Sequence, residues 1–346
     1  MTIALDATYG IGEQLSGVGL YSREMLLGLA AAHPGERFWF CCRPHRYFRP
    51  MGEMPPNARR RLLAEPVGPR GADLFHGLNQ RLPRLRLRRA VATFHDLFVM
   101  TGEYSTAEFR ARFAAQARDA AARADAIIAV SEFTKGQVVD LLGVEASKVR
   151  VVRHGVRPLA YPRASGQSRE KIVLHVGAIQ KRKNVARLVA AFETLDAEWK
   201  LVLAGSSGYG AEEIRARIDA SPARERIATP GYVAPDDLAR WYARAAIFAF
   251  PSLDEGFGMP VLEAMAAGAP ALTSNRSALP EVAGDAALLV DPEDTGAVAR
   301  ALRELAGNEE LRRDLAARGV ERAREFTWER AIRETWDVYQ ELLGRC

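Results

Sequence analysis

Two carboxylates eight positions apart bracket the run Glu255-Gly-Phe-Gly-Met-Pro-Val-Leu-Glu263. Glycines on either side of an aromatic residue let the backbone come close to a ligand. Pro260 suits the first helical position, where a missing N–H leaves no bond unmade. Free amides at a helix start attract anions and hydroxyl oxygens. With Glu255 in a loop and Glu263 about one turn into a helix, both acids are expected to face one pocket at different depths. Singly, each acid reads equally well as a solvated residue beside a helix start; joined to the glycines and the proline, they point to ligand binding. A second set is cationic. Lys181-Arg-Lys-Asn184 leaves a strand pattern and enters a helical one. Fixed positive charge and backbone donors at such a turn are what a diphosphate requires. Asn184 is expected to cap the helix, with Arg182 and Lys183 projecting over its start.

Elements that would carry these groups are legible on both sides. Strand patterns 172–176 and 246–250 precede the two motifs, and helices 184–195 and 260–267 follow them. Further strands are predicted at 200–204, 227–229, 270–273 and 286–290, with helices at 211–219, 236–245, 295–306, 309–325 and 327–343. The first half repeats that grammar: strands 3–7, 38–42, 73–76, 90–94, 126–130 and 149–152 alternate with helices 18–32, 106–123 and 133–142. Strands alternating with helices imply parallel, doubly wound sheets. Between Arg157 and Glu170 neither periodicity holds while Pro, Ser and Gly accumulate, which predicts a linker at 157–170. Two domains of about 150 to 180 residues fit a chain of this length.

The Glu255–Glu263 run, continued by Ala264-Met-Ala, resembles the nucleotide-sugar-dependent glycosyltransferases of family 4, retaining enzymes of the GT-B fold. The likeness covers nearly the whole chain and is strongest from about 170 to 295. It implies two Rossmann-like doubly wound α/β domains facing each other across a cleft: an acceptor-binding domain 1–160 and a nucleotide-sugar-binding domain 171–326. Residues 327–346 would cross back to the first domain. It further implies that Glu255 lies at the donor sugar, that Gly256, Phe257, Gly258 and Met259 meet sugar hydroxyls or phosphate, and that Glu263 holds the ribose. Arg182 and Lys183 match the family's diphosphate element. Many relatives place another arginine directly after the strand's glycine, where this chain has Ala178, so these two would hold the diphosphate largely alone. No Asp-x-Asp metal motif occurs, and no cofactor or metal is expected; the cations would stabilise the departing phosphate instead.

The same resemblance assigns the remaining candidates. Gly17 and Gly19 of Ser16-Gly-Val-Gly-Leu-Tyr21 are expected near the donor, although a tight turn explains them equally. His95 would hydrogen-bond a sugar hydroxyl, and Asp96 would contact the acceptor or orient His95. Ser131 would cap a helix or touch the acceptor, and Tyr232 and Val233 would line the base pocket with Thr273, Ser274 and Asn275. His76 is a further cleft candidate, the role of His154 is open, and Glu281 reads as an acid near a helix start. The expected activity is retaining hexosyl transfer from a nucleotide sugar, GDP-mannose first, to a glycan or lipid-linked saccharide in surface polysaccharide synthesis. The alternatives are a nucleotide-sugar epimerase or hydrolase, and a catalytically silent nucleotide-sugar-binding protein.

Charge divides unevenly. Residues 1–160 hold 23 lysines and arginines against 15 acids, while the remainder holds 25 against 28. Arg81-Leu-Pro-Arg-Leu-Arg-Leu-Arg-Arg89, with Arg59-Arg-Arg61 before it, would suit peripheral contact with an anionic membrane. Nucleic acid is not an expected partner, because no aromatic stacking platform accompanies the basic stretch. Cys41, Cys42 and Cys346 form neither a metal-ligand pattern nor a disulfide framework, which suits a cytoplasmic protein. No basic-then-apolar leader is read at the start, and no apolar run is long enough to span a membrane.

Overall fold

A strand without polar alternation must be covered on both faces, and both halves of this chain meet that demand in the same way. The computed structural model describes residues 1–12, 15–65, 68–157 and 169–344. The chain divides into one unit of Met1–Gly155 with Thr327–Cys346 and a second of Val156–Phe326. In unit 1 the strands β1 (Thr2–Asp6), β2 (Arg37–Cys42), β3 (Ala58–Leu62), β4 (Leu74–Gly77), β5 (Ala90–Phe94), β6 (Ala126–Ala129) and β7 (Val149–Val151) form one sheet. Its order is β3-β2-β1-β4-β5-β6-β7, and every pairing is parallel. Helices α1 (Gly17–Ala32), α2 (Pro44–Tyr47), α3 (Phe98–Thr101), α4 (Ala107–Arg123) and α5 (Glu132–Leu142) connect the strands. The alanine face of α4, Ala117, Ala120 and Ala121, is buried with Phe75, Phe94 and Ile127 in one core.

Unit 2 repeats the scheme with β8 (Glu170–Val176), β9 (Lys200–Ala204), β10 (Ile227–Gly231), β11 (Ala245–Phe250), β12 (Ala271–Ser274) and β13 (Ala287–Val290). The order is β10-β9-β8-β11-β12-β13, again all parallel. Its helices are α6 (Val185–Phe192), α7 (Ala211–Asp219), α8 (Pro235–Arg244), α9 (Met259–Ala266), α10 (Leu279–Ala283), α11 (Thr295–Gly307) and α12 (Glu309–Ala323). Leu188 and Phe192 of α6 and Leu302 of α11 pack with Leu201, Leu203 and Ile247 of the sheet. The last helix, α13 (Trp328–Leu343), belongs to unit 1. A Cβ on Gly28 of α1 would lie 2.1 Å from Ile332, so that glycine is what lets α13 seat against α1. Tyr339 of α13 bonds His76 Nδ1 at 2.5 Å, and Trp336 stacks on His33 at 3.5 Å.

The expected elements are present, with ends displaced by up to three residues; among the described residues the short additions are β3, α2, α3 and α10 and three 3-10 segments. The triple arginine Arg59-Arg-Arg61 is not a loose basic patch: it is the edge strand β3, paired with β2. Charged side chains on an edge strand discourage pairing with other chains, and Arg61 lies 5.1 Å over the Trp39 ring. Of the expected linker at 157–170, residues 158–168 fall outside the described residues. Among the described residues, no helix is long and apolar enough to cross a membrane.

Candidate active site

In each sheet the strand order reverses about its first strand, between β1 and β4 and between β8 and β11. Ligands of open parallel sheets bind at the carboxyl ends of the strands beside such a reversal. In unit 2 those two strands feed the two motifs. Strand β8 runs into the turn that ends with Arg182 and Lys183 in a short 3-10 segment, Lys181–Lys183, and β11 runs into Glu255. Residues about seventy positions apart thereby meet. Lys183 Nζ lies 2.6 Å and Arg182 Nη1 2.9 Å from Glu255 Oε1, and the Ser252 hydroxyl donates to the same oxygen at 2.6 Å. Arg182 also donates to the Asp254 carbonyl, and Lys183 Nζ sits 4.6 Å over the Phe250 ring. Glu255, Arg182 and Lys183 are only 7, 7 and 8 % exposed, so their charges are tolerable only as a paired set. Burial by itself would raise the Glu255 carboxyl; the charges of Arg182 and Lys183 and the bonds from Lys183 and Ser252 outweigh it and hold the carboxyl at about 2.

Backbone bonds fix Glu255 in place: its N–H donates to Ser277 Oγ at 3.1 Å and its carbonyl accepts from Ala278 N at 3.2 Å. Gly258 then turns the chain into α9 with φ of 105°, and a Cβ there would lie 2.6 Å from Leu279. Only glycine meets both demands. Gly256 and Phe257 are buried, with Phe257 edge-to-face on Phe326 at 5.9 Å. Met259 opens α9, and Pro260 follows it within the first turn. Glu263, on α9, is not part of the Glu255 cluster. Its Oε2 accepts from the Tyr242 hydroxyl of α8 at 2.8 Å, and burial lifts its carboxyl to about 7. Tyr232 and Val233 follow β10 on an exposed loop, Tyr232 being 47 % exposed. Thr273 and Ser274 end β12 fully buried, so they support the edge rather than line it, and Glu281 lies in the first turn of α10.

Asn184 departs from its expected role. It takes a left-handed conformation (φ 59°) and makes no side-chain cap. Its Nδ2 instead donates to the Pro251 and Pro292 carbonyls at 3.0 and 2.6 Å, tying the cationic turn to the segments after β11 and β13. Asparagine tolerates that backbone region because its short amide can bond locally. Four partners of the site carried no sequence signal that we used: Ser252, Ser277, Tyr242 and His175. His175 lies in β8, wholly buried, with Nδ1 3.0 Å from the Ala249 carbonyl. A carbonyl only accepts, so Nδ1 carries the proton; Nε2 is buried without a partner, close by Gly177. Burial is the main cause that lowers this imidazole to about 4.

Unit 1 presents a different chemistry at its carboxyl edge. His95, 8 % exposed, follows β5 and donates from Nε2 to the Leu78 carbonyl at 3.0 Å. That bond makes Nδ1 the acceptor, so His154 Nε2 donates to it across 3.4 Å while the rings stack at 5.3 Å between centroids. Tyr21 packs on both rings, at 4.7 and 4.8 Å. Burial lowers His95 to about 4 and His154 well below its ordinary value, so both are neutral. His95 therefore presents neither ring nitrogen to a ligand here, against the expectation of a hydroxyl contact; His154, whose role was open, is what occupies Nδ1. His76 is a core residue, wholly buried between Tyr339 and Thr93, and not a cleft group. Ser131 is 0 % exposed and caps α5, accepting from Thr134 N at 3.0 Å, so its hydroxyl is taken up inside the fold and not offered to an acceptor. Asp96 lies half-buried in the turn between β5 and α3. Gly17 is exposed with open space at its Cβ position, whereas Gly19 is buried, its close approach being to the Tyr9 carbonyl and Leu15 of its own loop. Gly17 alone of the two thus remains open to a donor.

Comparison with known proteins places this arrangement. The family described as Glycosyltransferase Family 4 matches residues 20–158, and that described as Glycosyl transferases group 1 matches residues 161–322. The O-antigen chain mannosyltransferase B of Escherichia coli is 31 % identical over 282 residues, covering 77 % of this chain and 74 % of its own. The serotype-specific mannosyltransferase WbdA of Escherichia coli is 29 % identical over 223 residues, 60 % of this chain; the match spans only 27 % of that longer protein. Among solved structures, sucrose-phosphate synthase from Thermosynechococcus elongatus superposes with a TM-score of 0.82 at 25 % identity, covering 100 % of both chains. Anabaena HepE in complex with UDP-glucose gives 0.76 at 15 % identity, covering 98 % of this chain and 99 % of its own.

Proposed function

Since this chain is a member of glycosyltransferase family 4 with the GT-B fold, we propose that it is a retaining, metal-independent enzyme moving a hexose from a nucleotide-diphosphate sugar to a glycan or lipid-linked saccharide. The observation that carries the reading is the buried meeting of Arg182, Lys183 and Glu255 at the strand-order reversal of unit 2. Arg182 and Lys183 bring two fixed cations to a carboxyl edge of the kind where ligands bind. A sugar diphosphate is an anion that such cations can hold. When the bond between the anomeric carbon and the phosphate oxygen breaks, charge grows on that oxygen, and Arg182 and Lys183 stabilise it in a site with little water.

Glu255 spends Oε1 on three donors, so Oε2 is the oxygen available to the sugar as positive charge develops on the ring. A carboxylate held at about 2 by two cations is a poor nucleophile, which favours front-face substitution over a glycosyl-enzyme intermediate. In that route the acceptor oxygen bonds the anomeric carbon on the face the phosphate leaves, and the acceptor's proton passes to the departing phosphate oxygen. Glu263, once ionised, accepts from the ribose hydroxyls, while Tyr232 and Val233 complete the donor contacts within unit 2. The O-antigen relative and WbdA support mannose as the sugar, and the UDP-glucose complex of HepE supports a nucleotide sugar as the donor class. We place the enzyme in the cytoplasm, with peripheral contact to an anionic membrane through Arg84 and Arg86. Arg88 and Arg89 are engaged instead by Asp73 and Asp125, at 3.0 and 3.7 Å.

A donor panel of GDP, UDP, ADP and dTDP sugars, read by thermal shift, tests the first step, because a bound donor stabilises the folded state. GDP-mannose is expected to give the largest shift, and the transfer product to keep the donor's anomeric configuration by NMR. Stoichiometric hydrolysis or epimerisation without a transfer product would replace this reading with the epimerase or hydrolase one. Unchanged turnover in both Glu255→Ala and Lys183→Ala would end it.

A further inference from the structure

The carboxyl edge of unit 1 holds a guanidinium that the fold leaves unanswered. Arg43 follows β2 directly, and its backbone N–H donates to Thr8 Oγ1 at 3.3 Å, which pins it beside the end of β1. Thr8 in turn donates through Oγ1 and N to Asp6 Oδ1, at 2.5 and 3.0 Å. Nε and Nη2 of Arg43 are buried and unpartnered, and no guanidinium nitrogen of Arg43 makes a hydrogen bond or an ion pair among the described residues. Guanidinium is charged at every physiological pH and carries five donors in a rigid fork. Burying part of it without a partner is unfavourable, and folded proteins leave few such groups without a reason.

Its surroundings reinforce the point. Arg23 donates to the Gly10 and Gly12 carbonyls at 3.2 and 2.6 Å, and Arg46 to the Ile11 carbonyl at 3.4 Å. Both hold the loop after β1 without an acidic partner among the described residues. Arg81, after β4, acts with Arg43 on Asp6 from beyond ion-pair distance. Asp6 is the carboxylate at this edge, 2 % exposed and occupied by Thr8. Among the described residues, Arg23 and Arg46 thus hold the loop after β1, and Arg43 and Arg81 act on the enclosed Asp6 beside the strand-order reversal of β1 and β4. This is a different sheet from the one that carries Arg182 and Lys183.

We infer that Arg43 anchors an anion subsite at the carboxyl edge of β1 and β2, and that its occupant is a phosphate or carboxylate group of the saccharide acceptor. The word acceptor rests on the transfer reaction proposed above; the anion subsite does not.

Isothermal titration of the full chain with three related sugars tests it: methyl α-mannoside, mannose 1-phosphate and mannuronic acid. The proteins are the wild type, Arg43→Ala, Arg43→Gln, Arg43→Lys and Lys183→Ala, each first checked for an unchanged melting profile. An anionic sugar is expected to bind the wild type, to weaken about tenfold or more in Arg43→Ala and Arg43→Gln, and to recover in part in Arg43→Lys. The Arg43-dependent part of the binding should persist in Lys183→Ala, which removes only the share of mannose 1-phosphate bound at the cationic turn of unit 2. Preference for the phosphate over the carboxylate sugar identifies a phosphorylated acceptor, and the reverse a uronic acid. If methyl α-mannoside binds the wild type as tightly as both anions, or if binding is lost in Lys183→Ala and kept in Arg43→Ala, the subsite is wrong. Should Arg43→Ala fail to fold, Arg43→Gln and Arg43→Lys carry the comparison. Turnover separates the two readings. Arg43-dependent binding with no transfer from any donor leaves the subsite and removes the transferase; transfer to both neutral and anionic acceptors with a KM indifferent to Arg43 does the opposite.

Discussion

At the carboxyl edge of unit 2, Arg182 and Lys183 are matched by Glu255, Ser252 and a backbone carbonyl. At the corresponding edge of unit 1, His95 and His154 are neutral and turned toward each other, and Arg43 has no partner among the described residues. The two sheets share the strand order 3-2-1-4-5-6 counted within each unit, to which unit 1 adds a seventh strand at the far edge, so topology does not make the difference. What differs is which residue types stand after the equivalent strands. Unit 2 pairs two buried cations with a carboxylate that stays ionised, a charged cluster that suits the anionic donor proposed above. Unit 1 keeps the histidines of this edge uncharged and places arginines beside them, which suits the acceptor subsite inferred above.

The comparison is most exposed at Glu255. Glu255→Ala removes the carboxylate that Arg182 and Lys183 share, and removing one member of a buried ionic set typically destabilises by about 3–5 kcal/mol. Hydrogen exchange resolved by unit should show that loss in unit 2 and leave unit 1 unchanged. Added GDP should restore more protection to this variant than to the wild type, since phosphate replaces the missing charge. Turnover of Lys183→Ala should fall by about a hundredfold or more, as when one transition-state donor is removed. Equal protection of both units in Glu255→Ala would break the contrast.

Glycine substitutions sharpen it next. Gly258→Ala meets both a positive φ and the Leu279 side chain, and should destabilise by about 1–3 kcal/mol. Gly17→Ala meets open space and should stay within about 0.5 kcal/mol. A rise in donor KM for Gly17→Ala at unchanged stability would put the donor against that residue.

Acid separates the units by sign. A histidine whose folded value lies below its ordinary 6.5 contributes stability that is complete above 6.5 and lost as pH falls toward the folded value. Among the described residues unit 1 has four such histidines, His76 lowered to about 3, His95 to about 4, His154 well below its ordinary value and His33 lowered too, each mainly through burial. Unit 2 has His175, lowered to about 4, opposed by Glu263, which is raised to about 7 and so gains stability as pH falls from 7 toward 4.5. The Glu255 contribution is present above about 4.5 and lost only as pH falls toward 2. Between pH 6.5 and 5, amide exchange should therefore accelerate first in unit 1, by about 1 kcal/mol or more of opening free energy. Faster acceleration in unit 2 would reverse the assignment of neutral imidazoles to unit 1.

The smallest effect concerns Glu263. A carboxylate accepts from two ribose hydroxyls better than a carboxylic acid does, so donor KM should rise a few-fold as pH falls from 8 to 6. Tyr242→Phe removes the hydrogen bond that holds this carboxyl down. The midpoint should then move upward while kcat at high pH is kept. A KM indifferent to pH would remove Glu263 from the ribose.

Much of the fold was legible because its signals are local. The apolar runs of β8 and β11, the Pro260 helix start and the glycine turn at 258 are all read within about ten residues of chain. Strand β3 was missed because Arg59-Arg-Arg61 has the composition of a surface patch, and only pairing with β2 makes it a strand. Asn184 looked like a helix cap because the residue type and position match one; its amide is drawn instead to two carbonyls from distant segments. Ser131 reads as a helix cap or an acceptor contact, and the structure makes it the cap; His95 reads as a ligand contact, and its ring nitrogens are taken up by Leu78 and His154.

Sequence alone determined the chemical inventory of this protein: two alternating α/β halves, a glycine-proline turn between two acids, and a cationic turn after a strand. Those follow from periodicity and residue type, which act over one or two turns of chain. Tertiary structure decided that Lys183 and Arg182 meet Glu255 and not solvent, that Tyr242 meets Glu263, and that Nε and Nη2 of Arg43 are buried with no hydrogen-bond partner among the described residues. Each depends on which strands lie side by side and on how deeply a charge is enclosed. Strand order brings together residues about seventy positions apart, and burial turns proximity into pairing, because a charge removed from water must find a partner or wait for one.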